Sequence, residues 1–215
     1  MADAAQKSEF IDRAWKAVQS QPSLGGLFPS VIIAQAALES AWGQSRLAAD
    51  YNNYFGVKAS STQYSPAWNP KTSPSVNLDT LEYSNGYNTE NATWRVYKSL
   101  ADSMRDRNAL VSTNPRYASA LVAESPRKQV EAMKSGGYAT DPKYVDKIMA
   151  TIQSNNLTQY DSMYTPPASH GGMETATTGH SSRRGDQFLK TVLVLLLLVL
   201  AGYFGYKLFR KYFKP

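Results

Sequence analysis

Glu39 has the setting best suited to acid–base chemistry in this 215-residue chain. It lies within residues 31–45, a helix-like stretch whose other side chains are apolar, small or uncharged. The spacing predicts one helix, with Pro29 and Ser30 as its start and cap. The helix would turn a stripe to the core, made of Val31, Ala34, Leu38, Ala41 and Trp42. A carboxyl group beside Trp42 loses hydration, which raises its pKa and suits it to act as a general acid. The simpler alternative is a Glu on the solvated face of a core helix.

Residues 52–58 follow this helix and read Asn-Asn-Tyr-Phe-Gly-Val-Lys. Amides and aromatic rings so close together are suited to stacking on sugar rings and to bonding their acetamide groups. Together with Ala-Leu-Glu-Ser-Ala-Trp-Gly-Gln-Ser at 37–45, this segment resembles the start of glycoside hydrolase family 73, the peptidoglycan-cleaving glucosaminidases. Residues 94–97, 114–118 and 137–144 also resemble segments of this family, so the resemblance covers about residues 8–157.

The resemblance implies a lysozyme-like α+β fold, with a groove for a glycan strand between a helical lobe and a small β lobe. In the family pattern Glu39 is the general acid, and Glu82, within Thr-Leu-Glu-Tyr-Ser-Asn-Gly at 80–86, is the second carboxylate. Without the resemblance, Glu82 would be an exposed strand residue. Tyr138 is expected to line the catalytic groove, and weaker expectations for substrate binding fall on Trp42, Asn53, Phe55 and Tyr117. Trp94 stands where the family usually has Phe.

The composition excludes several other hydrolytic chemistries. The chain has no cysteine, which excludes thiol peptidases. Its two histidines, His170 and His180, lie in a Gly/Ser/Thr-rich stretch, so neither a His-based zinc site nor a serine triad is expected. We therefore predict carboxylate chemistry without a metal or a cofactor.

Helices and one hairpin are predicted to position these residues. A first helix spans residues 8–21, and strand-like runs at 78–84 and 92–98 flank the turn signal Ser84-Asn85-Gly86. Cap residues predict three later helix starts, at Ser99 with Asp102, at Ser125 before Pro126 and at Asp141 before Pro142. The last helix should turn Val145, Ile148, Met149 and Ile152 inward.

Residues 188–209 form an apolar run of about the length that spans a bilayer, and we predict a single transmembrane helix there. Lys and Arg residues flank this run on both sides, so the net charge of +6 indicates contact with lipid headgroups and not with nucleic acid. No apolar run marks a signal peptide at the Met1 end. The predicted organisation is a glucosaminidase domain at 1–157, a flexible tether at 158–187, the membrane span and a basic tail at 210–215.

These features favour an endo-β-N-acetylglucosaminidase that cleaves the β-1,4 bond between N-acetylglucosamine and N-acetylmuramic acid. One alternative is a lytic transglycosylase of the same fold, which needs only one acid. Another is a non-catalytic, membrane-tethered module that binds the cell wall. A membrane span so near the C-terminus favours a bacteriophage protein held in the virion membrane or the host inner membrane. The alternative is a bacterial enzyme exported by an unrecognised route. Its expected partners are glycan strands, the lipid bilayer, and other virion membrane or capsid proteins.

Overall fold

The computed structural model describes residues 2–59, 65, 67–83 and 87–164. Of residues 80–83 and 87–90 it describes the backbone only. These residues lie in one compact unit, Met1–Ser169, and the second unit, His170–Pro215, lies outside them. The described helices are α1 (Ala4–Gln19), α2 (Pro29–Glu39), α3 (Arg46–Tyr51), α4 (Leu100–Thr113), α5 (Ala118–Leu121), α6 (Pro126–Ser135), α7 (Tyr144–Ser154) and α8 (Gln159–Met163). Strands β1 (Ser75–Tyr83) and β2 (Tyr87–Arg95) form an antiparallel pair. The predicted mainly helical α+β organisation is confirmed.

Helix α2 runs through the centre of the helical part. Its residues 29–37 are all buried, because the helix is apolar on every side and packs against α1, α6, α7 and α8. The prediction that Ser30 caps this helix is wrong. Asp161 of α8 caps it instead, accepting hydrogen bonds from the backbone N and the Oγ of Ser30, both at 2.8 Å. The cap therefore comes from a residue far away in the sequence.

The other helix starts show where local cap signals suffice. Ser99 accepts a hydrogen bond from Asp102 N, and Ser125 accepts one from Lys128 N, so both predicted starts are confirmed. The start predicted at Asp141 is wrong, because α7 begins at Tyr144. The Asp141 carboxylate instead accepts from Lys143 N at 2.8 Å and from Lys147 Nζ at 2.6 Å. These two contacts close a turn ahead of the helix.

The hairpin lies around the predicted turn, with Tyr83 paired to Tyr87 across it and Ser75 paired to Arg95 at the other end. Residues 84–86 themselves lie outside the described part. The second strand begins and ends earlier than the predicted 92–98. After Arg95 the chain leaves the ladder, because Val96 N bonds to Pro74 O and Tyr97 N to Tyr51 O. We call the end of the hairpin at Arg95 its base.

A buried ion pair fixes this base to the helical part. Arg95 Nη1 donates to both carboxylate oxygens of Asp106 on α4, at 2.9 Å each, and both side chains are fully buried. The hydroxyls of Tyr97 and Ser65 also donate to Asp106. The guanidinium of Arg95 stacks on the Trp68 ring at 4.3 Å. A carboxylate and guanidinium buried together need such partners, and they join the hairpin to α4.

The start of the segment predicted as a tether is ordered instead. Residues 159–163 form α8, Leu157 before it is fully buried, and Tyr164 donates to Gln21 O at 3.2 Å. Packing of Asp161 on α2 explains why these residues stay against the domain. Within the described residues, no helix is long and apolar enough to cross a bilayer. The span predicted at 188–209, the basic tail and the rest of the tether lie outside the described residues.

Candidate active site

Glu39 is the last residue of α2, and a tight turn follows it. The helix predicted over 31–45 ends here because Ala41, Trp42 and Gly43 have φ values of +50°, +62° and +80°. Ser40 stabilises the turn, since its Oγ donates to Ala36 O at 2.5 Å and accepts from Gly43 N at 2.8 Å. A left-handed conformation costs a residue with a Cβ about 1–2 kcal/mol. The turn thus leaves Glu39 at the surface end of a buried helix.

The early end of α2 changes the predicted core-facing stripe. Val31 and Ala34 are fully buried as expected, but Leu38 is 37% exposed and Ala41 is exposed. Trp42 packs edge-on against Phe10, with ring centroids 5.9 Å apart, because the turn directs it toward α1. Trp42 therefore packs against α1 and does not continue the core-facing stripe of α2 that was predicted for it.

An open groove passes over Glu39. Two cavities of about 550 and 560 Å³ form it, and both are lined by Glu39, Gly137 and Tyr138. We call one the hairpin-side cavity; its further lining residues include Phe55, Val57, Trp94, Arg107, Arg116 and Tyr117. We call the other the α7-side cavity; it is lined also by Leu38, Ala139, Thr140, Asp141, Tyr144 and Lys147. Glu39 thus lies on the part of the groove wall that the two cavities share.

The surroundings of Glu39 favour its protonated form. Its side chain is accessible to solvent, yet the groove walls remove much of its hydration, and this burial raises its pKa. The positive charge of Arg107 opposes the shift and lowers the pKa, but burial is the larger effect. A carboxyl group that is reachable and retains its proton toward neutral pH is suited to general acid catalysis.

Arg107 of α4 connects the groove to the core and was not predicted. Its guanidinium is 2% exposed and donates to Gln35 Oε1, to Asn108 Oδ1 at 3.0 Å and, from Nε, to Tyr138 Oη at 3.3 Å. It also lies 5.5 Å from the Phe55 ring centroid and 5.4 Å from that of Tyr138. These contacts hold the Tyr138 ring in place beside Glu39.

Gln35 and Tyr144 complete the support beneath Glu39. Gln35 Nε2 donates to Tyr144 Oη at 2.6 Å, and both residues are buried. Burial raises the pKa of both Tyr138 and Tyr144, so both phenols stay protonated. A polar Gln35 one helical turn before Glu39, in an otherwise apolar helix, was the sequence signal for this network.

The structure distributes the other predicted site residues differently. Phe55, Tyr117 and Tyr138 line the groove as expected. Asn53 is buried and donates to Val57 O at 3.0 Å and to Arg95 O at 2.9 Å, so it braces the loop after α3 instead of facing substrate. Glu82 lies on β1 opposite Asn88, and its side chain is outside the described set.

Across the described ranges, no group of three or more His, Cys, Asp or Glu side chains could hold a metal ion.

The fold and the groove together define a lysozyme-like glycoside hydrolase domain with a small two-stranded sheet, and solved structures of this class are similar. The catalytic domain of the autolysin Auto from Listeria monocytogenes has a TM-score of 0.62 and 33% identity, over 75% of this chain and 90% of that one. A C-terminally truncated glycoside hydrolase domain of Salmonella typhimurium FlgJ has a TM-score of 0.55 and 31% identity, over 70% and 97%.

The family model for glucosaminidase, described as mannosyl-glycoprotein endo-beta-N-acetylglucosaminidase, matches residues 15–157. The chain belongs to this family, which confirms the resemblance to glycoside hydrolase family 73. Peptidoglycan hydrolase FlgJ of Salmonella typhimurium is 34% identical over 70% of this chain and 46% of its own length. For exo-glucosaminidase LytG of Bacillus subtilis the identity is 38%, over 63% and 46%. A probable N-acetylmuramidase of Lactococcus lactis is 35% identical over 81% and 40%. The chain thus spans less than half the length of these curated relatives.

Proposed function

We propose that this protein is a peptidoglycan hydrolase that cleaves the β-1,4 bond between N-acetylglucosamine and N-acetylmuramic acid. The observation that carries the proposal is Glu39, whose carboxyl group has a raised pKa and lies midway along an open groove. Membership of the glucosaminidase family supports the reaction type. The relatives named as peptidoglycan hydrolases support the substrate.

In this mechanism Glu39 donates its proton to the glycosidic oxygen as the bond from that oxygen to C1 breaks. The sugar ring passes through an oxocarbenium-like transition state, and water then attacks C1. Tyr138, held by Arg107, lies beside the reacting bond and positions the sugar. A base accepts the proton that the attacking water loses, and reprotonation of Glu39 restores the starting state of the site.

Glu82 is the proposed second carboxylate, and three roles fit it. It acts as a base on water, as a nucleophile, or as a positioner for attack by the substrate's own acetamide group. Glu82 is six residues along β1 from Val76, whose partner Trp94 lines the groove. A strand rises about 3.3 Å per residue, so a straight hairpin would place these positions roughly 20 Å apart. Direct participation of Glu82 thus requires the hairpin to curve over the groove.

Product analysis tests the reaction. Purified sacculi would be digested, the new ends reduced with borohydride, and the fragments identified by mass spectrometry. Reduced N-acetylglucosamine ends are the expected result. Reduced N-acetylmuramic acid ends would instead indicate a muramidase, the activity named for the Lactococcus lactis relatives. Anhydro-muramic ends would indicate a lytic transglycosylase, and an absence of new ends would indicate a wall-binding module.

We also propose that residues 188–209 anchor the enzyme in a membrane, as a phage lysin carried in the virion or the host inner membrane. The apolar run and its basic flanks support the anchor. Protease treatment of purified virions, infected cells and spheroplasts would locate the domain. Absence from virions, together with cleavage from outside spheroplasts, would contradict the virion assignment.

A further inference from the structure

Arg116 differs from every other arginine among the described residues, because its side chain makes no hydrogen bond or ion pair. The others are bonded as follows: Arg13 to Tyr54, Arg46 to Asp50, Arg95 to Asp106, Arg105 to Asp102, Arg107 to Gln35, and Arg127 to Glu131. Arg116 is exposed, so water hydrates its guanidinium and the lack of a partner costs little. An unpaired cation is thus available for an outside ligand.

The position of Arg116 is fixed by packing. A Cβ on Gly136 would lie 2.6 Å from Arg116 O and 2.7 Å from the Tyr117 ring, so only glycine allows this close approach. The guanidinium stacks on the Tyr117 ring at 5.1 Å from its centroid. Its Nη1 would be 3.9 Å from a Cβ on Gly137, which lines both cavities. The positive charge of Arg116 is therefore held on the groove wall, close to the Gly137 position that both cavities share.

The two cavities differ in how their charges are compensated. In the α7-side cavity, Lys147 Nζ contacts Asp141 at 2.6 Å, so its charge is neutralised locally. In the hairpin-side cavity, Arg107 is buried among its own partners, while Arg116 has none. The lining of this cavity holds two arginines and one carboxyl group, that of Glu39, so the hairpin-side cavity keeps a net positive charge even when Glu39 is ionised.

A guanidinium offers a planar fork of donors that matches a carboxylate in a two-point contact. Peptidoglycan differs from neutral N-acetylglucosamine polymers by the muramoyl branch. This branch carries the free carboxylates of a stem peptide that is amide-linked to the lactyl group or, where the peptide has been removed, the free lactyl carboxylate itself. We propose that Arg116 binds a carboxylate of the muramoyl branch and so selects peptidoglycan over neutral glycans. This inference rests on the proposed function, because it names the recognised group on that substrate.

Binding to the inactive variant Glu39→Gln tests the proposal without turnover. Calorimetry would measure the affinity for peptide-bearing glycan fragments, for strands stripped of peptide that keep the lactyl carboxylate, and for neutral N-acetylglucosamine oligomers. Adding Arg116→Gln should weaken binding of the anionic ligands about tenfold and leave the neutral oligomers unchanged. Arg116→Lys should retain part of the affinity, and the control Arg127→Gln on exposed α6 should retain all of it.

The pattern of losses identifies the carboxylate. A loss confined to peptide-bearing fragments places it on the stem peptide, and a loss confined to the stripped strands places it on the lactyl group, which is free only there. A loss shared by both ligands shows that Arg116 accepts either carboxylate. An equal loss for the neutral oligomers would overturn the proposal, because it would show a stacking role for Arg116. Unchanged binding of all ligands would also overturn it. If the protein with Arg116 intact binds none of the ligands, the proposed function falls and this inference falls with it.

Discussion

The helical part and the hairpin hold their two candidate carboxylates in different ways. Glu39 ends a helix whose residues 29–37 are buried, above the network of Gln35, Arg107 and Tyr138. Glu82 lies on a two-stranded ladder, and two paired strands alone have marginal stability. The buried ion pair between Arg95 and Asp106, which we call the clamp, lies at the base of the hairpin, far along the strand from Glu82. The core therefore positions the candidate acid Glu39, whereas the strand that carries Glu82 is fixed to the helical part only at its distant base.

Removing the proton of Glu39 should have the largest effect. Glu39→Gln keeps the shape of the side chain but cannot donate a proton, so sacculus digestion should fall about 10²- to 10⁴-fold. The fold should be unchanged, because Glu39 makes no structural hydrogen bond that the described residues show. Glu131→Gln, at an exposed position of α6, is the matched control. Residual activity within about threefold of the unmodified protein would remove Glu39 from the acid role.

Changing Glu82 should have a smaller effect, near the lower end of that range at about 10²-fold, if it acts on water. Glu82→Gln should lose most activity, and azide should restore part of the activity of Glu82→Ala because it replaces the activated water. Asp79→Asn, exposed on the same strand, should stay active. Full activity of Glu82→Gln would show that the hairpin carries no catalytic carboxylate at this position.

Breaking the clamp should affect the hairpin base and then the whole domain. Asp106→Asn removes the buried carboxylate that Arg95 and Tyr97 contact, and loss of one buried ion-pair partner costs about 3–5 kcal/mol. Glu131→Gln removes an exposed pair with Arg127 and should cost under about 1 kcal/mol. Urea unfolding would measure both values. Similar losses for the two variants would show that the clamp does not stabilise the domain.

Removing the positive charge of Arg107 should have the smallest of these effects, a shift in the pH profile of activity. The acid must be protonated, so activity is lost as pH rises through its pKa. Burial raises that pKa and Arg107 lowers it. Arg107→Met should therefore move the alkaline limb of kcat/KM to higher pH, and Arg107→Lys, which keeps the charge, should leave it closer to its original position. Circular dichroism would confirm folding, and a limb moved to lower pH by Arg107→Met would refute this electrostatic role.

Local chemistry in the sequence determined much of the fold. Ser99 and Ser125 cap their helices as predicted, since a cap needs only the backbone of the next turn. The hairpin surrounds its predicted turn for the same reason. The family motifs and the apolar surroundings of Glu39 indicated the acid and the lysozyme-like class.

Contacts between distant residues decided the rest. The cap of α2 comes from Asp161, 131 residues beyond Ser30. Trp42 turned toward Phe10, and Asn53 became a brace for the hairpin, because tertiary contacts determine which way their side chains point. The network of Arg107 forms only when α2, α4 and α7 pack together, and no periodicity within one helix encodes such a meeting. The sequence alone thus singled out Glu39 as the candidate acid, and packing decided what surrounds it.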